Sequence, residues 1–196
     1  MIDWSFADYV LDLVRKRVGR IVGNDVWLAG GSVRDILMEG VPKDYDIFVP
    51  GLAELEPEEI DILFYGLQKV ALRGGHSYEP FLKAQFNLWG NMVQVMSTEK
   101  ESMEDLIDDF DWNVSRFAYD GEQILQGMQI EDIARGRELQ LHKMTYPIST
   151  LRRGYRFSER WGMFIADDTL LQVVEGASDA LAKRIAATER RQRNPK

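Results

Sequence analysis

Two aspartates separated by one residue are the strongest chemical feature of this sequence. Asp44 precedes, and Asp46 lies within, the segment Tyr45 to Val49, whose aromatic and β-branched residues predict a β-strand. Side chains alternate along a strand, so both carboxylates would project from one face, within reach of a common divalent cation. Such close like charges normally raise the pKa of one carboxyl group, and a bound cation would keep both ionised. The pair therefore predicts a metal site; a solvated aspartate pair at a strand start is the alternative.

A glycine turn shortly before the aspartates adds a second element. In Leu28-Ala29-Gly30-Gly31-Ser32-Val33-Arg34-Asp35, a predicted strand runs into a predicted helix through Gly30 and Gly31. Glycines let backbone N–H groups approach a triphosphate, while Ser32 can add a hydroxyl and Arg34 a charge. Together the two motifs predict a phosphate site beside a metal site. Magnesium there would neutralise nucleotide phosphates and lower the pKa of an attacking hydroxyl.

Composition limits the chemistry and the partners. The chain has 196 residues and 45% hydrophobic content, enough for one core with a small helical appendage. It has no cysteine, so a metal would be held by oxygen atoms or histidines, which suits hard cations such as Mg²⁺. A net charge of −8 argues against nonspecific binding to nucleic acid. The sequence shows no membrane span or signal peptide, so we expect a cytoplasmic protein with no membrane partner.

The hydrophobic pattern predicts alternating helices and strands. An amphipathic helix is expected over 5–20 with Ser5 as its N-cap, and a second long helix from Pro57 with an apolar stripe through Ile60, Leu63, Leu67 and Val70. The other predicted elements are a strand over 25–29, a helix over 32–38, a strand over 45–49, and helices after Pro147. Two hairpins are also predicted, one over 83–96 with its turn at Gly90-Asn91 and one over 115–125 with its turn at Asp120-Gly121.

The paired motifs resemble a known family. Gly30-Gly31-Ser32-Val33-Arg34-Asp35 followed by Lys43-Asp44-Tyr45-Asp46-Ile47 is similar to the head-domain signature of bacterial poly(A) polymerases and CCA-adding tRNA nucleotidyltransferases. The stretch from Asp111 to Asp120 resembles the family's ribose-contacting segment. The stretch from Leu151 to Phe157, with Trp161-Gly162-Met163, resembles its first neck helix.

This resemblance implies a fold and a reaction. The fold would be α+β, a polymerase-β-like nucleotidyltransferase head with a mixed sheet over residues 1–145, followed by a short helical neck over 146–196. The reaction would be attack of a hydroxyl on the α-phosphate of an NTP with release of pyrophosphate. By resemblance, Asp44 and Asp46 are the catalytic residues and hold Mg²⁺ in a two-ion site. The residues assigned to nucleotide binding are Gly30, Gly31, Ser32, Arg34, Lys43, Asp111, Arg116, Arg152 and Arg156, with Asp111 on the ribose.

The sequence departs from the family pattern at three places. A third carboxylate is usual on a later strand, and the best register puts Gln94 there. Asp109 or Asp111 would substitute for it, or metal-bound hydroxide would take the proton, or turnover would be slow. The base-reading motif EDxxR is missing before the neck, and the matching string at Glu131 to Arg135 lies in a different loop. Few residues follow the neck, so a whole tRNA acceptor is not expected.

Several readings therefore stay open. The leading one is transfer of an NMP to a hydroxyl, with an RNA 3′ end as acceptor. The alternatives are a nucleotide-binding module without turnover, and transfer to a protein or small molecule. His76 and His142 are interpreted as ordinary surface histidines, whereas Trp112 is kept as a candidate for base stacking because it adjoins Asp111. The base and the oligomeric state are not predicted.

Overall fold

The computed structural model describes residues 2–70 and 81–193, so His76 lies outside the described residues. Two compact units are present. The first comprises Met1–Phe110 and Val114–Ile130, and the second comprises Asp111–Asn113 and Glu131–Lys196. The division into a head over residues 1–145 and a neck over 146–196 stays a prediction.

A six-stranded mixed sheet forms the centre of the first unit. Its strand order is β3-β4-β2-β1-β5-β6; β2 and β4 are parallel and every other neighbouring pair is antiparallel. The strands are β1 (Trp27–Ala29), β2 (Asp44–Pro50), β3 (Leu82–Leu88), β4 (Asn91–Thr98), β5 (Phe117–Tyr119) and β6 (Ile124–Gln126). The α+β fold with a mixed sheet is therefore confirmed.

Seven α-helices are found along the described chain. They are α1 (Ser5–Val18), α2 (Gly31–Leu37), α3 (Pro57–Leu63), α4 (Met103–Ile107), α5 (Ile130–Ala134), α6 (Pro147–Trp161) and α7 (Asp167–Arg193). In α1 the buried residues recur at helical spacing, which gives the helix one apolar face for the core. On one sheet face, Met103, Leu106 and Ile107 of α4 join Trp27 and Ala118 in a buried cluster.

The long helix predicted from Pro57 is wrong. The helix ends at Leu63, and Gly66 has a positive φ of 82°. The chain then pairs with β3: the Val70 N–H donates to the Gln85 carbonyl at 2.9 Å, and the Asn87 N–H donates to the Gln68 carbonyl at 3.1 Å. The apolar stripe predicted the helix correctly only as far as Leu63, because the residues near Val70 pair with β3.

The N-cap predicted for α1 is also wrong. Ser5 is already the first helical residue, and Trp4 occupies the cap position. The side chain of Asp3, two residues before Ser5, accepts a hydrogen bond from the Ser5 N–H at 2.9 Å and so satisfies this donor at the helix start.

The predicted hairpin between β3 and β4 is found, but its two-residue turn lies one residue earlier than the predicted Gly90-Asn91. Leu88 pairs with Asn91, and the intervening Trp89 and Gly90 have φ values of 51° and 90°. Two positive φ values in a two-residue loop are the mark of a type I′ turn, whose twist matches that of the strands.

Helix α6 is closely packed within the second unit. Thr150 and Gly154 are its buried residues, and a Cβ built on Gly154 would lie 2.6 Å from the Trp112 ring. Trp112 is fully buried and its indole N–H donates to the Thr150 carbonyl at 2.9 Å. A glycine at position 154 therefore makes room for the indole.

Candidate active site

Asp44 and Asp46 begin β2 and share one face of the sheet. Asp46 is directly opposite Ala29 of β1 on one side and Gln94 of β4 on the other. Residues opposite each other in neighbouring strands point to the same face, so Asp46 and Gln94 lie side by side there. Ala29 is the last residue of β1, so the glycine turn starts beside the second aspartate. The two sequence motifs meet at one end of the sheet.

Asp46 carries a polar atom that lacks a protein partner. Its Oδ1 is buried and has no hydrogen-bond partner among residues 2–70 and 81–193, although the residue as a whole is partly exposed. The pKa of Asp46 is raised to about 7, mainly by burial and also by the neighbouring Asp44 charge, while the Lys43 ammonium partly opposes both effects. A carboxylate in such a position is stabilised by a cation or a donated proton.

The chemistry of this pair fits Mg²⁺. Mg²⁺ is commonly held by one or two carboxylates, with substrate phosphates and water completing its octahedron. Asp44 and Asp46 supply two carboxylates on one face, and the buried Oδ1 supplies an acceptor that needs a partner. Over the described part of the chain, no group of three or more histidine, aspartate and glutamate side chains could hold a metal by itself. The residues present are thus suited to a cation that arrives with phosphate ligands.

Gln94 occupies the position at which the sequence predicted a missing carboxylate. Its register partners are Asp46 on β2 and Gln85 on β3. Its amide Nε2 lies 3.5 Å from the Gln85 Oε1, the long limit of a hydrogen bond. Two amides thus stand beside two carboxylates, and neither amide accepts a proton at neutral pH.

The glycine turn is shaped by Gly30. Its φ of 82° and ψ of −139° belong to a region that is essentially restricted to glycine. The Gly30 N–H donates to the Phe117 carbonyl at 2.8 Å, and the Ser32 hydroxyl donates to the Ala29 carbonyl at 3.3 Å. Both groups therefore hold the turn in place, which leaves Gly31 as the better candidate for a backbone phosphate contact.

Arg34 is buried in an ion pair. Its Nη2 lies 2.7 Å from the Asp35 Oδ1, and its Nη1 donates to the Val114 carbonyl at 3.2 Å. The side chains of Arg34 and Asp35 are only 5% and 8% exposed. This arrangement favours a role in positioning the turn and helix α2, and phosphate binding by Arg34 stays a prediction.

We expect Arg34→Ala to destabilise the fold by about 3–5 kcal/mol, because it leaves Asp35 buried without its countercharge. Urea unfolding would measure the loss. Lys43→Ala is the matched control: Lys43 is exposed, so its removal should change stability by less than ~0.5 kcal/mol. A small stability change for Arg34→Ala, together with a large rise in the Kd for NTP, would instead place Arg34 on the phosphates.

The other predicted nucleotide-binding residues of the first unit are placed differently. Lys43 is exposed immediately before Asp44, which keeps it available at the end of the sheet. Arg116 donates to the Ile107 carbonyl at 3.2 Å and forms an ion pair with Asp108. Phosphate binding by Lys43 and Arg116 stays a prediction.

In the second unit, the predicted ribose residue Asp111 is bound by a neighbour that the sequence did not single out. Arg153 of α6 contacts the Asp111 Oδ2 through Nε at 2.8 Å and Nη2 at 2.6 Å. The Trp112 N–H donates to the other carboxylate oxygen at 3.0 Å. Arg152 and Arg156, which the resemblance assigned to nucleotide binding, are exposed, whereas the paired residue is Arg153 between them.

The ring of Trp112 is fully buried inside the second unit. Base stacking by Trp112 therefore stays a prediction. The sequence did contain a sign that Trp112 is closely packed. Gly154 lies among larger residues of an amphipathic helix, and a glycine at such a position often marks the close approach of a bulky neighbour.

The fold is that of a nucleotidyltransferase head. A CCA-adding enzyme in complex with ATP superposes with a TM-score of 0.64 at 19% identity, covering 93% of this chain and 45% of that one. A CCA-adding enzyme with CTP gives a TM-score of 0.60 at 21% identity, with coverages of 88% and 42%. The Thermotoga maritima CCA-adding enzyme complexed with tRNA_CCA gives 0.61 at 21%, with coverages of 86% and 42%. At these identities the likeness shows the fold alone, and the chain spans less than half the length of these proteins.

A family model identifies the chain more closely. The model described as Gad2, Gabija anti-defense 2 family protein, matches residues 4–135, more than half of the sequence. The chain belongs to the Gabija anti-defense 2 family. No curated protein matches it.

Within the described ranges, none of the helices combines the length and apolar character needed to cross a membrane.

Proposed function

We propose that this chain is a Mg²⁺-dependent nucleotidyltransferase that moves an NMP from an NTP to a hydroxyl group, with an RNA 3′ end as the leading acceptor. The observation that carries this proposal is the meeting of Asp44, Asp46 and the Gly30 turn at one end of the sheet. A metal held by two carboxylates beside a turn open to phosphate is the arrangement that phosphoryl transfer requires, because positioning and charge neutralisation supply most of its catalysis.

In this reaction the acceptor oxygen forms a bond to the α-phosphorus, and the bond from that phosphorus to the bridging oxygen breaks. Pyrophosphate leaves, and the hydroxyl proton must go to a base. Asp44 and Asp46 would hold Mg²⁺, which supplies charge neutralisation at the phosphates. Gly31 and Lys43 would position the triphosphate.

The site differs from a three-carboxylate site in the group that accepts the proton of the attacking hydroxyl. Gln94 is not a base, and both aspartates that could replace it are held in ion pairs. Asp109 pairs with Lys100 at 2.8 Å, and Asp111 pairs with Arg153 at 2.6 Å. Proton transfer to hydroxide or water is therefore the remaining route, and we expect slow turnover.

The acceptor is proposed on two observations. Arg152 and Arg156 are exposed on α6 and would attract a polyanion such as RNA. One of the structurally similar CCA-adding enzymes is complexed with tRNA_CCA. The name of the chain's own family points to counteraction of Gabija defence, which makes a protein or nucleic acid of that defence the rival acceptor.

A nucleotide-binding module without turnover is the second candidate function, and Gln94 is the observation that favours it. Such a protein would keep Asp44, Asp46 and the glycine turn as a triphosphate site. It would bind Mg²⁺ and NTP with ordinary affinity but transfer nothing.

The test is incubation with Mg²⁺ and each α-labelled NTP in turn, with total RNA in one series and a purified Gabija system in another. Transfer predicts label in one macromolecule and none with Asp44→Asn/Asp46→Asn. The melting temperature with and without NTP and Mg²⁺ is measured in parallel. Nucleotide-dependent stabilisation without label would favour the binding module, and no stabilisation with any NTP would overturn both functions.

A further inference from the structure

One side of helix α7, in the second unit, is apolar and exposed. Val173 and Ala177 are buried on another side of this helix, whereas no residue from 178 to 188 is buried. Four large apolar side chains of α7 are 41–58% exposed: Leu171, Val174, Leu181 and Ile185. We call the face formed by these four residues, with the exposed Ser178 and Thr188, the α7 seam. Contiguous apolar surface of this kind marks an interaction site.

The spacing of the α7 seam is that of a contact between two helices. Its positions follow one another at alternating steps of three and four residues: Leu171, Val174, Ser178, Leu181, Ile185 and Thr188. A mean step of 3.5 residues is the pattern of the a and d positions of a coiled coil, at which each side chain inserts among those of a facing helix. The partner that fits this face is therefore a helix with a similar apolar stripe.

The charges of α7 are complementary to those of α7 itself in the reverse direction. From 167 to 179 every charged residue is acidic, namely Asp167, Asp168, Glu175 and Asp179, and from 180 to 188 every charged residue is basic, namely Lys183 and Arg184. An antiparallel pair sets the acidic half of each helix beside the basic half of the other and also aligns the two helix dipoles favourably. A parallel pair in register sets like charges side by side. Charge therefore favours an antiparallel second copy.

We propose that α7 pairs in antiparallel fashion with α7 of a second copy of this chain, about a two-fold axis. In the register that covers the whole seam, the axis passes between Asp179 and Ala180. Val174 then lies opposite Ile185 of the other copy, and Leu171 lies opposite Thr188. A two-fold interface uses the same patch of both copies, which a seam symmetrical about its own middle provides. This inference goes beyond the proposed function and does not depend on it.

Sedimentation velocity of the full chain over a wide range of concentrations tests the pairing. We expect an equilibrium between monomer and dimer. Leu181→Asp/Ile185→Asp should raise the Kd of the dimer about 100-fold or more, because each substitution buries a charge and is present twice in the interface. Both side chains are exposed in the single chain, so the melting temperature of the dilute, monomeric protein should stay unchanged.

Gln172→Asp/Ala186→Asp is the matched control. Both residues are exposed, and each follows a seam residue by one position, which turns it roughly 100° around the helix. The control therefore adds two carboxylates to the same helix outside the seam. Its dimer Kd should stay within about threefold of that of the unmodified protein, since surface charges of this kind contribute little.

The absence of cysteine makes the direction of the helices measurable. In the antiparallel pair, Leu171 lies beside Thr188 of the other copy and ~26 Å from the other Leu171, at a rise of about 1.5 Å per residue. A short bismaleimide should therefore join Leu171→Cys to Thr188→Cys in a mixture of the two variants. It should join neither variant efficiently to itself.

Three results would overturn the inference. The unmodified protein would be monomeric at every concentration, or its dimer would form equally well with Leu181→Asp/Ile185→Asp, or Leu171→Cys would cross-link to itself as readily as to Thr188→Cys. The first result would leave the seam to a helix of a different protein, the second would place the dimer contact elsewhere, and the third would make the pair parallel. None of these measurements uses NTP, so their outcomes are separate from those of the transfer assay.

Discussion

Asp46→Asn should abolish nucleotide transfer and, in the absence of metal, make the protein more stable above neutral pH. The loss of transfer should reach about 1,000-fold, since charge stabilisation through a metal is worth several kcal/mol and each 1.36 kcal/mol is tenfold in rate. Label transfer at saturating NTP and Mg²⁺ measures the first effect, and urea unfolding at a series of pH values measures the second.

The sign of the stability effect follows from the raised pKa. The Asp46 carboxyl group ionises near 3.8 in the unfolded chain and near 7 in the folded protein. Between these values the folded state holds the proton more tightly, so stability falls as the pH rises through this range, and the full penalty remains above pH 7. The shift corresponds to an upper limit of roughly 4 kcal/mol, and partial exposure of the residue reduces the expected gain to about 1–3 kcal/mol.

Asparagine carries no charge at any pH, so the gain of Asp46→Asn should appear at pH 8 and vanish near pH 4. Adding Mg²⁺ and NTP should reverse the order of stability, because only the unmodified protein would bind them. Asp12→Asn is the control: this exposed carboxylate pairs with Lys16 and should change stability by less than ~1 kcal/mol. A destabilised Asp46→Asn protein at pH 8 without metal would show that the carboxylate is satisfied within the fold.

The aspartate pair and the hairpin of β3 and β4 could be predicted from the sequence because each depends on neighbouring residues. The alternation that puts Asp44 and Asp46 on one face depends only on the strand. The hairpin of β3 and β4 was found from a glycine between two strand-like runs, although its turn lies one residue earlier than predicted. The position of Gln94 opposite Asp46 is less local, since parallel pairing of β2 and β4 sets it. It was nevertheless predictable, because the apolar pattern of β4 allows few registers.

The remaining features depend on partners distant in the sequence. Arg34 looks like a phosphate ligand beside two glycines until Val114, 80 positions later, supplies its carbonyl and closes the guanidinium inside the fold. In the same way, Val70 continues the apolar stripe of α3 in the sequence but is hydrogen-bonded to Gln85 of β3 in the structure. Burial of a charged group and pairing between distant segments are tertiary effects that override a local preference.

Gln94→Glu should raise the rate of transfer by about 100-fold, the lower end of the range for a positioned general base. The substitution keeps the size and shape of the side chain and places a third carboxylate beside Asp46. Its proton-accepting oxygen would lie on the face that holds the reacting hydroxyl, so the step that now depends on solvent would gain a base. The first turnover with saturating NTP, followed by label incorporation, measures the gain.

Gln85→Glu is the matched control, since it adds the same charge one strand farther from Asp46, at the residue paired with Gln94. It should leave the rate within about threefold of the unmodified protein, because a carboxylate there is out of reach of the reacting group. Without metal, Gln94→Glu should also be the less stable of the two above neutral pH, since three like charges then share one face, and Mg²⁺ should restore its stability. Equal rates for all three proteins would show that the amide at position 94 does not limit the reaction. No transfer by any of the three, although the site binds Mg²⁺ and NTP, would favour the module without turnover.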